Sequence, residues 1–491
     1  MASQTPAASD TFEIEEATIA GLQQAMARNE LSACTLLDFY LARIERVDPQ
    51  LHAVLSLNPQ ARETAKKLDE EREAGELRGP LHGIPLIVKD NIDTVEMPTT
   101  GGCAALAELQ PPDDAFVVTQ LRQAGAIILG KANLHELAYS GETVSSLGGQ
   151  THNPYNLSYT PGGSSGGSAV AIAANLVVAG LGTDTINSVR SPASACNIVG
   201  LRPTAGLISR DGLMPVALSQ DAIGPMGRTV TDVATLLEVM AIDDPGDPMT
   251  ARSAGQQTSG YRPFLKESGL QGMRLGIVRS FFGQKPHHQS VNQLMDNALS
   301  TMGELGGQCL ELAVHIDVDS LIEEISVTLW EGKLHLNQYL EDLGTATPVK
   351  NLKALLKSGK AHPSIQPILK RLQKIDTPLG NHEYWQRLYP RRAELRQLLT
   401  HIFQQYRLDG LVYPHQKQPV APIGEKQKGR NGFLASASGF PAITFPAGFT
   451  PEGLPVGMEL MGQPFKEARL LQMAYAYEQA THWRRRPDLG R

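Results

Sequence analysis

Residues 159–204 read YTPGGSSGGSAVAIAANLVVAGLGTDTINSVRSPASACNIVGLRPT and contain two serine-bearing turns separated by an apolar stretch. In the first turn, a proline is followed by four glycines and three serines in residues 162–168. The second turn carries Asp184, Ser188 and Arg190. Glycines let backbone N–H groups approach a ligand closely, and serines supply hydroxyls. The pattern predicts two turns, joined by a helix from residue 169 to about residue 175 and a strand over 176–183, that face each other across a pocket.

Three kinds of loop share the composition of the first turn. A phosphate-binding P-loop requires Lys followed by Ser or Thr after its last glycine, and Gly167 is followed by Ser168 and Ala169 instead. A nucleophile elbow, G-x-S-x-G, matches residues 163–167 and would make Ser165 the nucleophile. An elbow needs a strand that leads into the serine, and the residues before it are rich in turn formers. A flexible Gly/Ser loop would leave the second serine-bearing turn unexplained.

Together the two turns resemble the amidase signature family, which has a GGSSGG loop, a GTDTGGSxR-like turn and an upstream lysine. The matching segments are residues 163–168 for the loop, 182–190 for the turn, 200–204 for a closing GLKPT-like segment, and Lys89 for the lysine. Residues 221–226, DAIGPM, also resemble a D-x-x-G-P-M turn of the family. The resemblance covers roughly residues 60–240 and 405–480, and the middle of the chain matches weakly.

The resemblance implies a Ser-cisSer-Lys triad and an acyl-enzyme intermediate. It assigns Ser188 as the nucleophile, Ser164 in a cis peptide as the bridge, and Lys89 as the base. It also implies an oxyanion hole, a supporting ion pair and a substrate-lining loop. The oxyanion hole consists of the backbone N–H groups of Thr185, Ile186, Asn187 and Ser188. The ion pair is formed by the side chains of Asp184 and Arg190. The substrate-lining loop consists of Ala138, Tyr139, Ser140 and Gly141.

Residues 84–88 predict a short buried strand that ends on Lys89, so the amine of this lysine is either a surface ammonium or a desolvated base. The proposed chemistry needs a neutral amine, and burial lowers the pKa of a lysine from about 10.4. The neighbouring Asp90 would oppose that shift if its carboxylate approached the amine.

One departure from the family pattern lies in the second turn, where Ile186 and Asn187 replace the usual Gly-Gly. Backbone donors survive any substitution except proline, so the oxyanion hole remains available. The side chains narrow the pocket and restrict φ, although Asn tolerates positive φ better than most residues. The departure bears on the substrate more than on the reaction. It also weakens the match to an amidotransferase component.

Two enzyme classes fit these residues. The first is a stand-alone hydrolase of amides, anilides or carbamates, with urethanes and esters as further candidate substrates. The alternative is the glutaminase subunit of an aminoacyl-tRNA amidotransferase. A non-catalytic binding module is disfavoured because Lys89, Ser164 and Ser188 are all present.

Composition limits the kinds of partner that the protein is expected to bind and the cellular compartment in which we expect it. A formal charge of −7 gives no basic footprint for nucleic acid. Four widely spaced cysteines form no CxxC pair, and the histidines suggest no metal-ligand set, so we expect no metal and no cofactor. The N-terminus lacks a signal sequence and no apolar run approaches a membrane span of about 18 residues. These features predict a cytoplasmic protein that binds a small-molecule substrate, and they are compatible with a homodimer.

The order of elements predicts an α/β protein. Apolar periodicity indicates helices alternating with strands, and this alternation is typical of a central mixed β-sheet flanked by helices. The resemblance makes this the amidase signature fold with a helical insertion. We predict four segments: N-terminal helices over 1–60, the core over 61–285, a mainly helical substrate-shaping insertion over 286–404, and the rest of the core over 405–491.

Overall fold

A computed structural model describes residues 12–256, 258 and 260–490. The first eleven residues, on which the prediction of no signal sequence partly depends, lie outside this range. Eleven strands form one sheet, and β4 and β5 form a separate two-stranded ribbon. The strands are β1 Val54–Leu57, β2 Pro85–Lys89, β3 Ile127–Ala132, β4 Val144–Ser145, β5 Gly149–Gln150, β6 Ala179–Thr183, β7 Val199–Arg202, β8 Ile223–Gly227, β9 Arg274–Ile277, β10 Gln308–Glu311, β11 Gly410–Pro414, β12 Ala442–Phe449 and β13 Pro455–Met461.

The large sheet is mixed, as the alternation of elements predicts. Its strand order is β1-β3-β2-β6-β8-β7-β12-β13-β11-β9-β10. Strand β2 runs parallel to both β3 and β6, and β9 runs parallel to β10 and β11. The remaining pairs are antiparallel. Strands β2, β3 and β6 to β8 are buried at every residue, because the sheet is covered by helices.

Sixteen α-helices lie within the described residues. They are α1 Ile19–Ala27, α2 Ala33–Val47, α3 Ala61–Glu73, α4 Phe116–Gln123, α5 Gly166–Ala173, α6 Arg190–Ala195, α7 Val230–Met240, α8 Gln289–Glu304, α9 Val318–Ile325, α10 Thr328–Asp342, α11 Leu352–Ser358, α12 Gln366–Gln373, α13 His382–Gln386, α14 Arg392–Tyr406, α15 Phe433–Ser438 and α16 Glu467–Thr481. Helices α5 and α6 pack against the centre of the sheet, and α7 and α16 pack on each other and on β8 and β12 respectively.

One segment that resembles the family's D-x-x-G-P-M turn is a strand instead. Residues Ile223–Gly227 form β8, in the middle of the sheet. A proline normally argues against a central strand because it cannot donate to the ladder. In β8, only Met226 and Gly227 pair with β7. Pro225 has no partner residue in β7, so its missing N–H breaks no hydrogen bond to that strand.

The segment predicted as an insertion divides into two parts. Strand β10 forms the edge of the large sheet, and α8 packs on β10 to β13, so both belong to the sheet layer. The second part contains helices α9 to α13 and adds no strand to the large sheet. Helices α10 to α12 form an apolar cluster with residues of the core, in which Leu336, Leu352 and Leu369 pack with Leu106 and Met214. The helical part is therefore docked firmly onto the core.

Strands β2 and β6 are adjacent and parallel, with Val88 opposite Leu181. The carboxyl ends of parallel strands meet at the same edge of a sheet. This arrangement brings Lys89, the last residue of β2, beside the turn that follows Thr183, the last residue of β6. Helix α5 packs against both strands and follows directly on the first serine-bearing turn. The sheet thus delivers all three predicted triad residues to one edge.

Candidate active site

Lys89 is a fully buried amine. Its Nζ donates hydrogen bonds of 2.7 Å to Ser164 Oγ and of 2.7 Å to Thr183 Oγ1. Burial lowers the pKa of Lys89 to about 7, although the charges of Asp184 and Asp221 act in the opposite direction. The carboxylate of Asp90 does not approach this amine. It lies 3.8 Å from the second buried lysine, Lys131. With such a pKa, a substantial fraction of the Lys89 amine is neutral near pH 7.

The Gly163–Ser164 peptide bond is cis, as the resemblance implies. The Ser164 carbonyl accepts a hydrogen bond from His135 N (3.0 Å), and a Cβ on Gly163 would lie 2.6 Å from Thr143 Oγ1. The loop is therefore too tightly packed to admit a larger residue than glycine at position 163. Its neighbours fix the Ser164 hydroxyl beside the lysine.

Ser165 is not placed as an elbow nucleophile. No strand leads into it, and its buried Oγ is hydrogen-bonded to the backbone N and O of Thr183, both at 3.2 Å. Ser188 differs, since it is 8% exposed while Lys89 and Ser164 are fully buried. Ser188 is also a buried residue, but of the three predicted triad residues it is the one that retains some exposed surface.

The turn from Thr185 to Ser188 presents unpaired backbone donors. Within the described part of the chain, none of its four N–H groups donates a hydrogen bond to the protein. The carbonyl of each of these peptide units is anchored instead. The acceptors and their donors are Asp184 O with Ala222 N and Arg202 Nη1, Thr185 O with Gln220 Nε2, Ile186 O with Arg190 Nη2 and Ser436 Oγ, and Asn187 O with Ser191 N.

These anchors determine where the donors point. In a planar trans peptide unit, the C=O and N–H bonds are directed oppositely. Because the carbonyls bind donors of the surrounding protein, the N–H groups face away from it. Unpaired N–H groups beside a serine are the arrangement that stabilises an oxyanion in acyl transfer.

Asp184 and Arg190 form the predicted ion pair, and a larger buried network surrounds it. Arg190 donates to both carboxylate oxygens of Asp184 at 3.1 Å and to Glu459 at 2.6 Å, while Arg202 donates to Asp184 at 2.9 Å. Burial by itself would raise the pKa of Asp184, but the charges of Arg190 and Arg202 outweigh it and hold the pKa well below its usual range. The network keeps the turn's carboxylate ionised and fixed.

The predicted substrate loop, Ala138 to Gly141, lies against the cis-peptide turn. A Cβ on Gly163 would lie 3.0 Å from the carbonyl carbon of Gly141. Ser140 Oγ and Gly141 N donate to Glu142. The Tyr139 hydroxyl is buried, has no hydrogen-bond partner among the residues that the structure describes, and faces Gly332 of α10. The loop thus joins the first turn to the helical insertion.

Sequence reasoning did not identify several residues that hold this site. Thr183 accepts from Lys89, Asp221 Oδ1 accepts from Thr185 Oγ1 (2.6 Å), and Gln220 binds Thr185 O (3.3 Å). Two signals were available: Thr183 lies in the matching segment 182–190, and the D-x-x-G-P-M match begins at Asp221. Glu459 comes from β13, more than 260 residues away from Arg190, and no local pattern marks it.

A cavity of about 1380 Å³ lies elsewhere, beside residues 417–429, and contains none of the triad residues. The described residues include no group of three or more His, Cys, Asp or Glu side chains arranged to hold a metal ion. In the same part of the chain, no helix combines the length and apolarity needed to span a membrane.

Comparisons with known proteins give a consistent picture. The family profile described as Amidase matches residues 35–471. One curated relative is a subunit of the glutamyl-tRNA(Gln) amidotransferase of Moorella thermoacetica. It is 36% identical over 482 residues, which cover 96% of this chain and 98% of that protein.

Solved structures resemble the whole chain. The native peptide amidase of Stenotrophomonas maltophilia is 37% identical, with a TM-score of 0.89 and coverage of 97% of this chain and 99% of that chain. An amidase family protein of Bacillus anthracis is 30% identical, with a TM-score of 0.87 and coverage of 96% and 92%. Matches of this length in both sequence and fold confirm the predicted fold class and show that the chain belongs to the amidase signature family, as an enzyme that acts on carbon–nitrogen bonds.

Proposed function

We propose that this protein is a hydrolase of small amides that works through an acyl-enzyme formed on Ser188. The observation that carries the proposal is the 2.7 Å hydrogen bond between Lys89 Nζ and Ser164 Oγ, in a buried setting that lowers the pKa of the lysine to about 7. A serine hydroxyl is a weak nucleophile and needs a base to take its proton. In this proposal Ser164 passes the proton of Ser188 to that base.

The reaction runs in two halves. Neutral Lys89 takes a proton from Ser164 while Ser164 takes one from Ser188, whose Oγ attacks the substrate carbonyl. The N–H groups of Thr185 to Ser188 bind the oxyanion of the tetrahedral intermediate. The C–N bond then breaks as the relay returns the proton to the leaving nitrogen. Water hydrolyses the ester on Ser188 by the same route and regenerates the enzyme.

The comparisons suggest which amides to test first. Peptide amides come first because the protein resembles a peptide amidase in both sequence and fold. Anilides, aliphatic amides, carbamates and esters are tested next. The side chains of Ile186 and Asn187 bear on which substrate fits, whereas the backbone donors needed for the reaction are retained. The protein purified alone should hydrolyse at least one of these classes, and Ser188→Ala should hydrolyse none. Ser168→Ala serves as a matched control, because the Ser168 hydroxyl donates to Leu181 O inside the protein (2.9 Å).

A second candidate is the glutaminase component of an amidotransferase. It is supported by the 36% identity, over nearly the whole chain, to the glutamyl-tRNA(Gln) amidotransferase protein of Moorella thermoacetica. That function predicts release of ammonia from L-glutamine and stimulation by partner proteins, with little turnover of the other amides. Activity confined to glutamine in the presence of partners would favour this candidate over the stand-alone hydrolase.

The expected homodimer is tested separately, by measuring the molecular mass of the purified protein in solution.

A further inference from the structure

Gln220 lies between the proposed oxyanion turn and the helical insertion. Its side chain is buried, and both ends of the amide are used. The Nε2 donates to Thr185 O (3.3 Å), while Oε1 accepts from Val327 N (2.8 Å) and from Arg392 Nη2 (3.0 Å). Val327 immediately precedes α10, and Arg392 begins α14. One amide therefore connects the turn to two helices of a distant part of the chain.

The contact with Thr185 has a directional consequence. Thr185 C=O and Ile186 N–H belong to the same trans peptide unit, so the donor that holds the carbonyl also sets the direction of the N–H. Gln220 is the sole anchor of this carbonyl among the described residues, whereas Asp184 O and Ile186 O each have two. The Ile186 N–H is thus the donor whose orientation depends on a single side chain.

The backbone of Gln220 is itself immobilised. Its N donates to Ala217 O (2.7 Å), and its O accepts from Arg202 Nη2 (2.7 Å). The next residue, Asp221, accepts from Thr185 Oγ1 and from the N–H groups of Val216 and Ala217. The amide is therefore held at both ends, and a shift of α10 or α14 acts directly on its Oε1.

We propose that Gln220 is a positioning residue that orients the Ile186 N–H in the oxyanion hole and transmits the docking of α10 and α14 to that donor. The proposal rests on the proposed function of the turn. The oxyanion that the Ile186 N–H would bind develops only as the carbonyl is attacked, so we expect the effect of Gln220 on the transition state and not on substrate binding. One misdirected donor out of several should reduce kcat by about 10- to 100-fold, below the 10²- to 10³-fold typical of the loss of a whole donor.

Gln220→Glu is the decisive variant. It keeps the shape and the acceptor for Val327 N and Arg392 but replaces the donor that faces Thr185 O by a carboxylate oxygen. Gln110→Glu is the matched control, because Gln110 makes the same kind of bond to Val95 O on the exposed surface. Both variants are compared with the wild type by active-site titration with a fluorophosphonate, by kcat and KM on the best amide, and by the inhibition constant of a trifluoromethyl ketone that forms a tetrahedral adduct.

The expected result for Gln220→Glu is a fall in kcat of at least 10-fold per titrated site, a change in KM of less than 3-fold, and a rise in the inhibition constant by the same factor as the fall in kcat. A merely structural role would lower the number of titrated sites and leave kcat per site unchanged, and this outcome overturns the proposal. If Gln220→Glu does not fold, Arg392→Gln tests the same link, with an expected smaller fall in kcat and a matching rise in the inhibition constant. Unchanged values for Arg392→Gln would overturn the proposal.

The failure of the proposed function has a different signature. A wild type that neither reacts with the fluorophosphonate nor hydrolyses any amide overturns the function of the site, and this inference with it. A reactive wild type together with a Gln220→Glu variant of unchanged kcat per site overturns this inference alone.

Discussion

Lys89 Nζ lies 2.7 Å from Ser164 Oγ, while the carboxylate next to Lys89 in the sequence, that of Asp90, is paired with Lys131. The two buried lysines of adjacent strands thus have opposite surroundings. Lys131 has a carboxylate within 4 Å, and Lys89 has two hydroxyls. This difference leaves Lys89 free to act as a base.

The first prediction concerns pH. Protonated Lys89 cannot accept a proton, so kcat/KM should rise as the pH passes through about 7 and become constant about one unit above it. Lys89→Arg should be inactive at every pH because arginine stays protonated. The measurement is kcat/KM for an amide from pH 5.5 to 9. A flat profile, or near-normal turnover by Lys89→Arg, would remove the lysine from the mechanism.

The second prediction identifies the nucleophile. A fluorophosphonate or sulfonyl fluoride should label the wild type at Ser188, as mapped by peptide mass spectrometry. Ser188→Ala should lose both labelling and hydrolysis, whereas Ser168→Ala should be labelled normally. A label on Ser165 would instead support the nucleophile elbow.

The third prediction separates the two serines. Ser164→Ala breaks the proton relay, and an amide nitrogen needs a proton before it can leave, whereas an activated ester does not. The loss of kcat/KM should therefore be about 100-fold greater on an amide than on a p-nitrophenyl ester, within the range for general acid–base catalysis. Equal losses on both substrates would show that Ser164 does more than carry the proton.

The fourth prediction concerns Ile186, which packs partly against an apolar cluster that includes Phe433 and Leu434. Ile186→Gly should widen the range of acyl groups accepted and leave serine labelling intact. Ile186→Val, which retains most of the side chain, should behave like the wild type. Complete loss of labelling in the glycine variant would show that Ile186 holds the turn in place, and a purely steric role would be wrong.

The fifth prediction concerns stability. Asp184→Asn removes the charge that compensates two buried arginines, and breaking a buried pair in this way costs about 3–5 kcal/mol. Asp38→Asn, in an exposed pair with Arg62, should cost less than about 1 kcal/mol. Because the pKa of Asp184 is lowered in the folded state, its contribution is present above the unfolded value near 4 and is lost as the pH falls further. Urea unfolding at pH 7 measures the free energy of unfolding of both variants. Equal losses in the two variants would show that the buried network around Asp184 stabilises the fold no more than an exposed ion pair does.

Individual strands and helices could be predicted because each is specified by a local pattern of apolar and polar residues. The run that ends at Lys89 predicted a buried strand, and α1 and α2 follow from helical periodicity. The first serine-bearing turn was located correctly, but helix α5 begins at Gly166, three residues earlier than the predicted start at residue 169. Glycines at its first two positions hid this start, because glycine is a poor helix former.

The contacts that hold the turn could not be predicted in this way. Arg202 and Gln220 reach the turn from 18 and 35 residues further along the chain, and Glu459 reaches Arg190 from 269 residues further along. The sheet brings these residues together. None of the three lies in a stretch whose periodicity or composition marks its partner. Whether the Asp90 carboxylate approaches Lys89 was left open by the sequence for a related reason, since the register of β2 and β3 sets which lysine lies near that carboxylate.

Helices α9 to α13 add no strand to the large sheet, but they bind the residues beside the second turn at several points. Leu218 N donates to His335 Nδ1 and Ser219 N donates to Glu331 Oε2, both on α10, and Val327 N donates to Gln220 Oε1. A segment that replaced these helices in evolution would have to reproduce such polar contacts as well as the apolar docking face. The side of the segment that meets residues 218–220 is therefore constrained, and sequence change is expected mainly on its solvent side.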